Sequence, residues 1–264
     1  MENLYKTLTD KPFVIAGPCV MESVELMHEI AAVCKRLCEE RGFSYIFKAS
    51  FDKANRTSAS SYRGLGMEAG IKALQKIKDK FGVPVTTDIH ESYQAAPVAE
   101  TVDILQIPAF LCRQTDLLLA AGETERIVNI KKAQFLSAED MAHPVEKVRS
   151  TGNNKIILTE RGTMFGYNNL VVDFRNLVDM QEHKVPVCMD ATHSTQRPGG
   201  LGGKPGGDRK YAPYIASAAA AVGTNGPFFE VHPEPHQAPP DGPKMILLSD
   251  IDKVLEKVWP LYTS

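Results

Sequence analysis

Positive charge is concentrated in one short stretch of this sequence. The segment FDKANRTSASSYRG, residues 51–64, contains Lys53, Arg56 and Arg63 with a run of hydroxyls and an amide, and it follows the strand-like YIFKAS, which includes Lys48. Because 30 Lys and Arg residues nearly balance 32 Asp and Glu residues, this cluster is a local feature of the chain. It has the chemistry of an anion site, in which Arg makes bidentate contacts to phosphate or carboxylate and Lys contributes point charges.

Further polar residues stand at or just beyond the ends of other strand-like segments. If those segments are parallel strands of a barrel, their carboxyl ends meet on one rim, where this fold places catalytic groups. Each strand could simply become polar as it reaches solvent, but several cations on a single rim favour a site for phosphates and a carboxylate. The residues of this predicted rim are Cys19, Lys48, Asp88, His90, Gln106, Lys131, Lys132, Arg161, His193 and Glu230.

Four residues that are far apart in the sequence could form a metal site at the same rim. Cys19, His193, Glu230 and Asp241 supply one thiolate, one imidazole and two carboxylates. Sulfur and imidazole ligands favour zinc, iron, manganese or cobalt over magnesium. The pattern alone leaves an alternative open, because a lone cysteine after a strand is most often a small core residue and a lone histidine is usually structural.

Eight short β-rich segments would position these groups. Between several of them the apolar period becomes helical, as in Leu26, Ile30, Val33 and Leu37. Apolar strands joined by helical crossovers predict parallel pairing, and eight such units in about 250 residues match a (β/α)₈ TIM barrel, with residues 1–264 as one domain. A doubly wound open sheet is the alternative. The segments are residues 12–16, 45–50, 83–89, 104–109, 126–132, 155–161, 185–192 and 227–232.

Composition restricts the compartment and the partners. The five cysteines form no C-x-x-C pair and the N-terminus lacks the apolar core of a signal peptide, so we expect a reducing cytoplasm. The longest small apolar run, YIASAAAAVG, falls well short of the ~20 residues that cross a bilayer. The balanced charge argues against a general nucleic-acid or membrane surface, and we expect neither partner.

Two long connections differ in composition from the rest of the chain. Residues 197–210 contain six glycines, and residues 233–244 are rich in proline. Both would follow late strands of the barrel, where long loops are often lids or binding loops. A flexible linker is the alternative interpretation of each.

Long motifs along the chain closely resemble one enzyme family, 3-deoxy-D-manno-octulosonate 8-phosphate synthase. The resemblance runs from about residue 12 to the C-terminal helix, and the motifs occur in the family's order. Members of that family are (β/α)₈ barrels that condense phosphoenolpyruvate with D-arabinose 5-phosphate and release inorganic phosphate, on the route to lipopolysaccharide; the resemblance implies this fold and activity. The motifs are IAGPCVMES, FKASFDKANRTS, TTDIHE, QIPAFLCRQTDLL, NIKKAQFLS, LTERGTMFGYNNLVVDFR, DATHSTQRPGG and EVHPEP followed by DGP.

The same resemblance implies roles for individual residues. Asn55, Arg56 and Thr57 would hold the sugar phosphate, with Thr57 standing where the family usually has serine. Arg113 resembles an arginine that reaches the sugar phosphate of a neighbouring subunit, which implies an oligomer, usually a homotetramer. The residues that correspond to the phosphoenolpyruvate site are Lys48, Lys53, Gln106, Lys131 and Arg161, and the implied catalytic residues are Lys48, Lys53, His193 and Asp241.

The residue at the GPC position separates two branches of that family. Cysteine is typical of the metal-requiring branch and asparagine of the metal-independent one, and here the residue is Cys19. His193, Glu230 and Asp241 match the other ligands of the metal-requiring branch. The resemblance therefore implies a divalent transition metal, such as zinc, iron or manganese, that would orient the aldehyde or activate a water.

Two other functions stay open as alternatives. A sister synthase, 3-deoxy-D-arabino-heptulosonate 7-phosphate synthase, joins phosphoenolpyruvate to erythrose 4-phosphate and shares the barrel, the GPC start and the metal ligands. It carries a lysine, proline and arginine signature in the aldose loop, where this sequence reads KANR. A non-catalytic phosphosugar-binding barrel is the second alternative, and the complete set of cationic and metal-type positions argues against it.

Overall fold

A closed barrel of parallel strands forms the centre of the computed structural model, which describes residues 1–55, 60–166, 168–198, 206–238 and 242–263. Each strand pairs in parallel with the next, and β8 pairs with β1, from Ile15 opposite Phe228 to Gly17 opposite Glu230. This closing pair excludes the open sheet and confirms the predicted (β/α)₈ barrel. The strands are β1 Phe13–Gly17, β2 Ser44–Lys48, β3 Val85–Asp88, β4 Ile104–Ile107, β5 Ile127–Lys131, β6 Ile156–Glu160, β7 Val187–Asp190 and β8 Gly226–His232.

Three shorter pairings lie at the carboxyl end of the barrel. Ile246–Leu247 adds in parallel beside β8, with Ile246 opposite Val231. Thr163–Met164 pairs in antiparallel fashion with Leu170–Val171 after β6, and Gln196–Arg197 pairs with Gly206–Gly207 after β7. These ribbons extend the walls of the barrel around its mouth.

Helices alternate with the strands and pack against the outside of the barrel. The long α2 begins where the Ser23 hydroxyl accepts a hydrogen bond from the Leu26 amide at 3.1 Å, and it ends at Gly42, which has a φ of 77°. None of the described helices is both long and apolar enough to span a membrane. The helices are α1 Glu2–Asp10, α2 Val24–Arg41, α3 Met67–Phe81, α4 Ala95–Ala99, α5 Thr115–Glu123, α6 Ala142–Arg149, α7 Arg175–Gln181, α8 Ala212–Ala221 and α9 Ile251–Val258.

The core has two parts, because strand side chains alternate between the two faces of the barrel wall. The outward residues pack against the helices in one large apolar layer. The inward residues of the amino-terminal half form a second cluster, closed from below by Leu8 of α1. Tyr5 also lies there, and its hydroxyl donates to the Ile156 carbonyl at 3.1 Å. The inward apolar residues are Phe13, Ile15, Ile46, Ile104, Ile127, Ile157, Cys188 and Phe228.

The barrel therefore separates two environments along its axis. Its lower half is filled by apolar side chains and by α1, so stability is concentrated there. Its upper half is lined by polar inward residues, and the predicted rim lies at this end. That residues 1–264 form a single catalytic domain stays a prediction.

Candidate active site

The mouth of the barrel is built from the inward positions nearest the carboxyl ends of the strands. A polar layer lies above the isoleucines, and Gln106 of β4 stands opposite Asn129 of β5 in the register. Charged residues occupy the next level, at or just beyond the strand ends. The inward charged residues are Lys48, Asp88, Lys131, Asp190 and Glu230, and all are buried.

Gly17 allows β1 and β2 to meet closely at this mouth. A Cβ atom at this position would lie 1.9 Å from the Lys48 carbonyl oxygen, so no other residue fits without moving the backbone. Gly17 stands opposite Glu230 in the register and is two residues before Cys19. The close approach of β1 and β2 therefore requires glycine at this position of the GPC motif.

Glu230 is the centre of the charge distribution. Its Oε1 lies 3.4 Å from His193 Nε2, 3.6 Å from Lys48 Nζ and 4.0 Å from Lys53 Nζ. On the other side, its Oε2 lies 3.5 Å from Lys244 Nζ. Neither carboxylate oxygen receives a hydrogen bond from the described residues. Burial alone would raise the pKa of Glu230, but His193, Lys244, Lys53 and Lys48 hold that pKa well below its usual range.

Asp190 at the end of β7 orients the neighbouring histidine. Its Oδ1 accepts hydrogen bonds from the amides of Thr192 at 3.2 Å and His193 at 2.8 Å, and its Oδ2 lies 2.7 Å from His193 Nδ1. Lys131 Nζ also donates to Oδ2, and it lies 3.9 Å from the centroid of the Phe228 ring. Burial would raise the pKa of Asp190, but His193 and Lys131 hold it well below its usual range.

His193 presents its second nitrogen to Glu230. Burial lowers the pKa of His193 to about 4, against the opposing effects of Asp190 and Glu230, so the imidazole is neutral at pH 7. The contact with Asp190 assigns the proton to Nδ1. Nε2 then faces Glu230 Oε1 with a lone pair at 3.4 Å, so two electron-rich atoms point at each other.

A second hydrogen-bonded group connects β2 with β3. Lys48 Nζ donates to Ser50 Oγ at 3.0 Å and to the Cys19 carbonyl at 3.2 Å. Ser50 Oγ in turn donates to Asp88 Oδ1, and His90 Nε2 lies 3.4 Å from Asp88 Oδ2. Burial and then repulsion from Lys53 lower the pKa of Lys48. Although burial opposes it, the attraction of Lys53, Lys48 and His90 holds the pKa of Asp88 well below its usual range.

The other predicted substrate residues occupy different positions. Gln106 and Arg161 are buried at the mouth, and an Arg161 Nη2 donates to Gln196 Oε1. Asn55 and Arg113 are exposed on the surface of the single chain. The predictions for Arg56, Thr57 and Asp241 lie outside the described residues.

The prediction that Lys132 lies on the rim of the barrel is wrong. Side chains alternate along a strand, so Lys131 points inward and Lys132 points to the outer side of the wall. Lys132 is fully buried there. Its Nζ lies 3.5 Å from Glu160 Oε2 and donates a hydrogen bond to the Leu136 carbonyl oxygen at 3.0 Å. Lys132 is a structural residue of the layer between the barrel and the helices.

Several residues of the mouth were missed by the sequence analysis. Asp190, Ser50 and Lys244 contribute charges or hydrogen bonds there. Lys244 lies in the segment 233–244, for which the sequence analysis noted only the proline content. The DATH motif contains Asp190, so its position three residues before His193 was the available signal. No comparable signal pointed to Lys244.

His193 and Glu230 have the spacing of two ligands of one divalent ion. Two ligands that each bind a zinc-like ion at about 2.1 Å in tetrahedral geometry lie about 3.4 Å apart. The observed Nε2 to Oε1 distance is 3.4 Å, and both atoms are acceptors in the assigned tautomer. Within the described residues, no group of three His, Cys, Asp or Glu side chains forms a complete metal site. The pair fits an ion, and completion of the site by Cys19 and Asp241 stays a prediction.

The fold and this site define a (β/α)₈-barrel protein with a cation-rich mouth built around a buried glutamate. The sequence profile of the DAHP synthetase I family matches residues 6–264. The chain therefore belongs to the DAHP synthetase I family.

Curated relatives cover almost the whole chain. A protein of Cyanothece sp. is 54% identical over 255 residues, which are 96% of this chain and 93% of the relative. A protein of Fusobacterium nucleatum is 56% identical over 247 residues, 93% of this chain and 89% of the relative. A protein of Nitratidesulfovibrio vulgaris is 51% identical over 260 residues, 98% of this chain and 95% of the relative. Each of the three is named 2-dehydro-3-deoxyphosphooctonate aldolase.

Proposed function

We propose that this chain condenses phosphoenolpyruvate with D-arabinose 5-phosphate and water to give 3-deoxy-D-manno-octulosonate 8-phosphate and inorganic phosphate, in lipopolysaccharide biosynthesis. The name shared by the relatives supports this transferase reaction over that of the sister synthase. The observation that carries the proposal is the set of buried cations at one mouth, Lys48, Lys131 and Arg161, beside the half-buried Lys53. Such a set suits two substrates that each carry a phosphate.

In the proposed reaction, C3 of phosphoenolpyruvate attacks the aldehyde C1 of the sugar. Water adds to C2, and the resulting hemiketal phosphate loses phosphate by cleavage of the C–O bond. The mouth cations offset the repulsion between the two anionic substrates and hold both in one orientation, which can supply ~7 kcal/mol or more of the barrier. Their hydrogen bonds to Ser50, Asp190 and Gln196 keep the cations in place before substrate arrives.

The chain's own residues divide this work. Lys48, Lys53, Gln106, Lys131 and Arg161 bind phosphoenolpyruvate in this proposal, and Asn55, Arg56 and Thr57 bind the sugar phosphate. Asp190 holds the proton on Nδ1 of His193, so that Nε2 stays available. Lys48, Lys53, His193 and Asp241 are proposed as the catalytic residues.

A divalent transition metal, zinc, iron, manganese or a similar ion, is the proposed cofactor. Cys19, His193, Glu230 and Asp241 would hold it. When bound, such an ion orients an aldehyde oxygen or lowers the pKa of a bound water. The facing acceptor atoms of His193 and Glu230 support this assignment.

The proposed working form is a cytoplasmic homotetramer with no nucleic-acid or membrane partner. Arg113 is exposed in the single chain and follows three positions after Phe110, which is 56% exposed. An exposed aromatic residue beside an arginine is typical of a protein interface. This exposure supports an interface at Arg113, and the family resemblance assigns the arginine to the sugar phosphate of a neighbouring subunit's site.

A panel of aldose phosphates tests the proposed reaction. Phosphate release from phosphoenolpyruvate should require D-arabinose 5-phosphate and should be at least tenfold slower with erythrose 4-phosphate. Lys131→Met should lose activity at least a hundredfold, because it removes a cation from the mouth, whereas the exposed Lys253→Met should match the wild type. Faster turnover of erythrose 4-phosphate would assign the sister reaction, and no turnover of either would leave a binding protein.

Metal removal tests the cofactor separately. Dialysis against a chelator should abolish turnover, and added Mn²⁺ should restore it. Phosphate release and metal content measured on the same samples check this expectation. Full activity in a sample stripped of metal would place the chain in the metal-independent branch.

A further inference from the structure

Lys244 is a buried lysine for which the proposed reaction has no role. It ends a single helical turn, Gly242–Lys244, directly before the strand Ile246–Leu247 that adds beside β8. Its side chain is 2% exposed. The Lys244 Cβ lies 3.0 Å from the position that a Cβ on Gly207 would take, so the lysine stem is packed tightly against the ribbon after β7.

The ammonium group of Lys244 contacts the central carboxylate of the mouth. Its Nζ lies 3.5 Å from Glu230 Oε2, while His193, Lys48 and Lys53 lie on the Oε1 side. Because Glu230 is fully buried, a nearby positive charge stabilises its ionised form.

We propose that Lys244 is a built-in competitor of the divalent ion at Glu230. Its ammonium neutralises the carboxylate in the metal-free protein, and it repels a divalent cation that binds the same carboxylate, because like charges a few ångströms apart in a buried site interact strongly. Lys244 thereby weakens metal affinity and stabilises the empty site. The inference rests on the metal part of the proposed function.

Mn²⁺ binding to the metal-stripped protein tests this inference without an activity assay. Free Mn²⁺ is counted by electron paramagnetic resonance during a titration. Lys244→Met removes the charge and keeps an apolar stem, and it should bind Mn²⁺ at least tenfold more tightly than the wild type. Lys244→Arg keeps the charge and should bind no more tightly than the wild type. The control Lys253→Met, at an exposed lysine of α9, should stay within twofold.

Thermal unfolding gives a second measurement. Metal-free Lys244→Met should unfold at a lower temperature than the metal-free wild type, and saturating Mn²⁺ should raise its midpoint by more. Lys244→Gln, which also removes the charge, replaces the Met variant if that variant does not fold. Equal or weaker Mn²⁺ affinity in the neutral variants would overturn the competitor role alone. Absence of Mn²⁺ binding in every variant would overturn both this inference and the metal part of the proposed function.

Discussion

The buried carboxylate of Asp190 orients two other side chains, His193 and Lys131. Its Oδ2 accepts a hydrogen bond from His193 Nδ1 and another from Lys131 Nζ. A carboxylate behind a histidine sets both the tautomer and the direction of the ring. Asp190 is thus a positioning residue for His193 and Lys131, which are proposed to bind the metal and the substrate.

Replacing Asp190 by Asn tests this positioning role. Asp190→Asn keeps the shape but removes the charge, so His193 loses its fixed orientation and Lys131 loses its counter-charge. We expect the kcat for phosphate release and the affinity for Mn²⁺ each to fall by about 10- to 100-fold. The control Asp79→Asn, on the exposed face of α3, should leave both values unchanged. Unchanged Mn²⁺ affinity in Asp190→Asn would contradict the role.

Neighbouring lysines illustrate what a sequence pattern leaves undecided. Lys131 and Lys132 have the same chemistry, yet Lys131 contacts Asp190 inside the barrel and Lys132 contacts Glu160 in its wall. The difference follows from the alternation of side chains along β5. The inward set begins at Ile127, so the odd-numbered residues of β5 face the barrel axis.

At the scale of elements, the sequence predicted the eight barrel strands but not the short two-residue strands that pair at the mouth. All eight predicted segments overlap observed barrel strands, because buried parallel strands have continuous apolar runs. The pairing after β7 has no such signal, since Gly206–Gly207 and Gln196–Arg197 lack apolar side chains. The pairing after β6 contains Met164, Leu170 and Val171, but its strands of two residues are too short to give an apolar run. Tertiary contacts at the mouth, rather than local propensity, form these ribbons.

The contact of α2 with β2 contains two buried thiols. Cys34 and Cys38 lie one turn apart on the same face of α2, and both are buried. Burial raises the pKa of Cys34 from its ordinary value of 9.0 to about 12. Burial also raises the pKa of Cys38 well above the ordinary value. Above pH 9 only the unfolded chain releases the Cys34 proton, so stability is lost as the pH rises toward 12.

Denaturant unfolding of Cys34→Ala tests this linkage. Relative to the variant, the wild type should lose about 2 kcal/mol of unfolding free energy between pH 8 and pH 10.5. The experiment is done with reductant present. Leu37→Ala, on the same helix, is a buried control that should destabilise the protein by an amount that does not change with pH. A constant difference between wild type and Cys34→Ala would show that the thiol ionises equally in both states.

At the scale of the whole molecule, the barrel places its apolar interior and the charged residues of the candidate site in different halves. The lower half is filled by isoleucines and α1, and the charged residues meet in the upper half. The buried charges of the mouth are held as close pairs, because an unpaired buried charge would cost several kcal/mol. The proposed oligomer would add a level above this, in which the exposed Arg113 of one chain serves the site of a neighbouring chain.

Mixing two inactive variants tests a site shared between subunits. Arg113→Ala and Lys131→Met should each be inactive or nearly so as pure oligomers. Dissociated together and reassembled in equal amounts, they should regain roughly a quarter of the wild-type activity, because a site with an intact Lys131 and a neighbour's intact Arg113 then forms at random. Phosphate release and sedimentation of the mixture provide the measurement. A mixture no more active than its components would place Arg113 in its own chain's site or outside any site.

The sequence by itself determined the class of fold and the kinds of chemical group available. The apolar period and the even spacing of eight segments require parallel strands with crossovers, and the residue types at the strand ends indicate anion and metal chemistry. Only the tertiary structure decided which groups meet. Glu230 contacts Lys48 because the barrel closes between β8 and β1 and brings together strand ends that are distant in the chain. It contacts His193 because β7 pairs with β8. Such distances depend on strand tilt and closure, which no local pattern encodes.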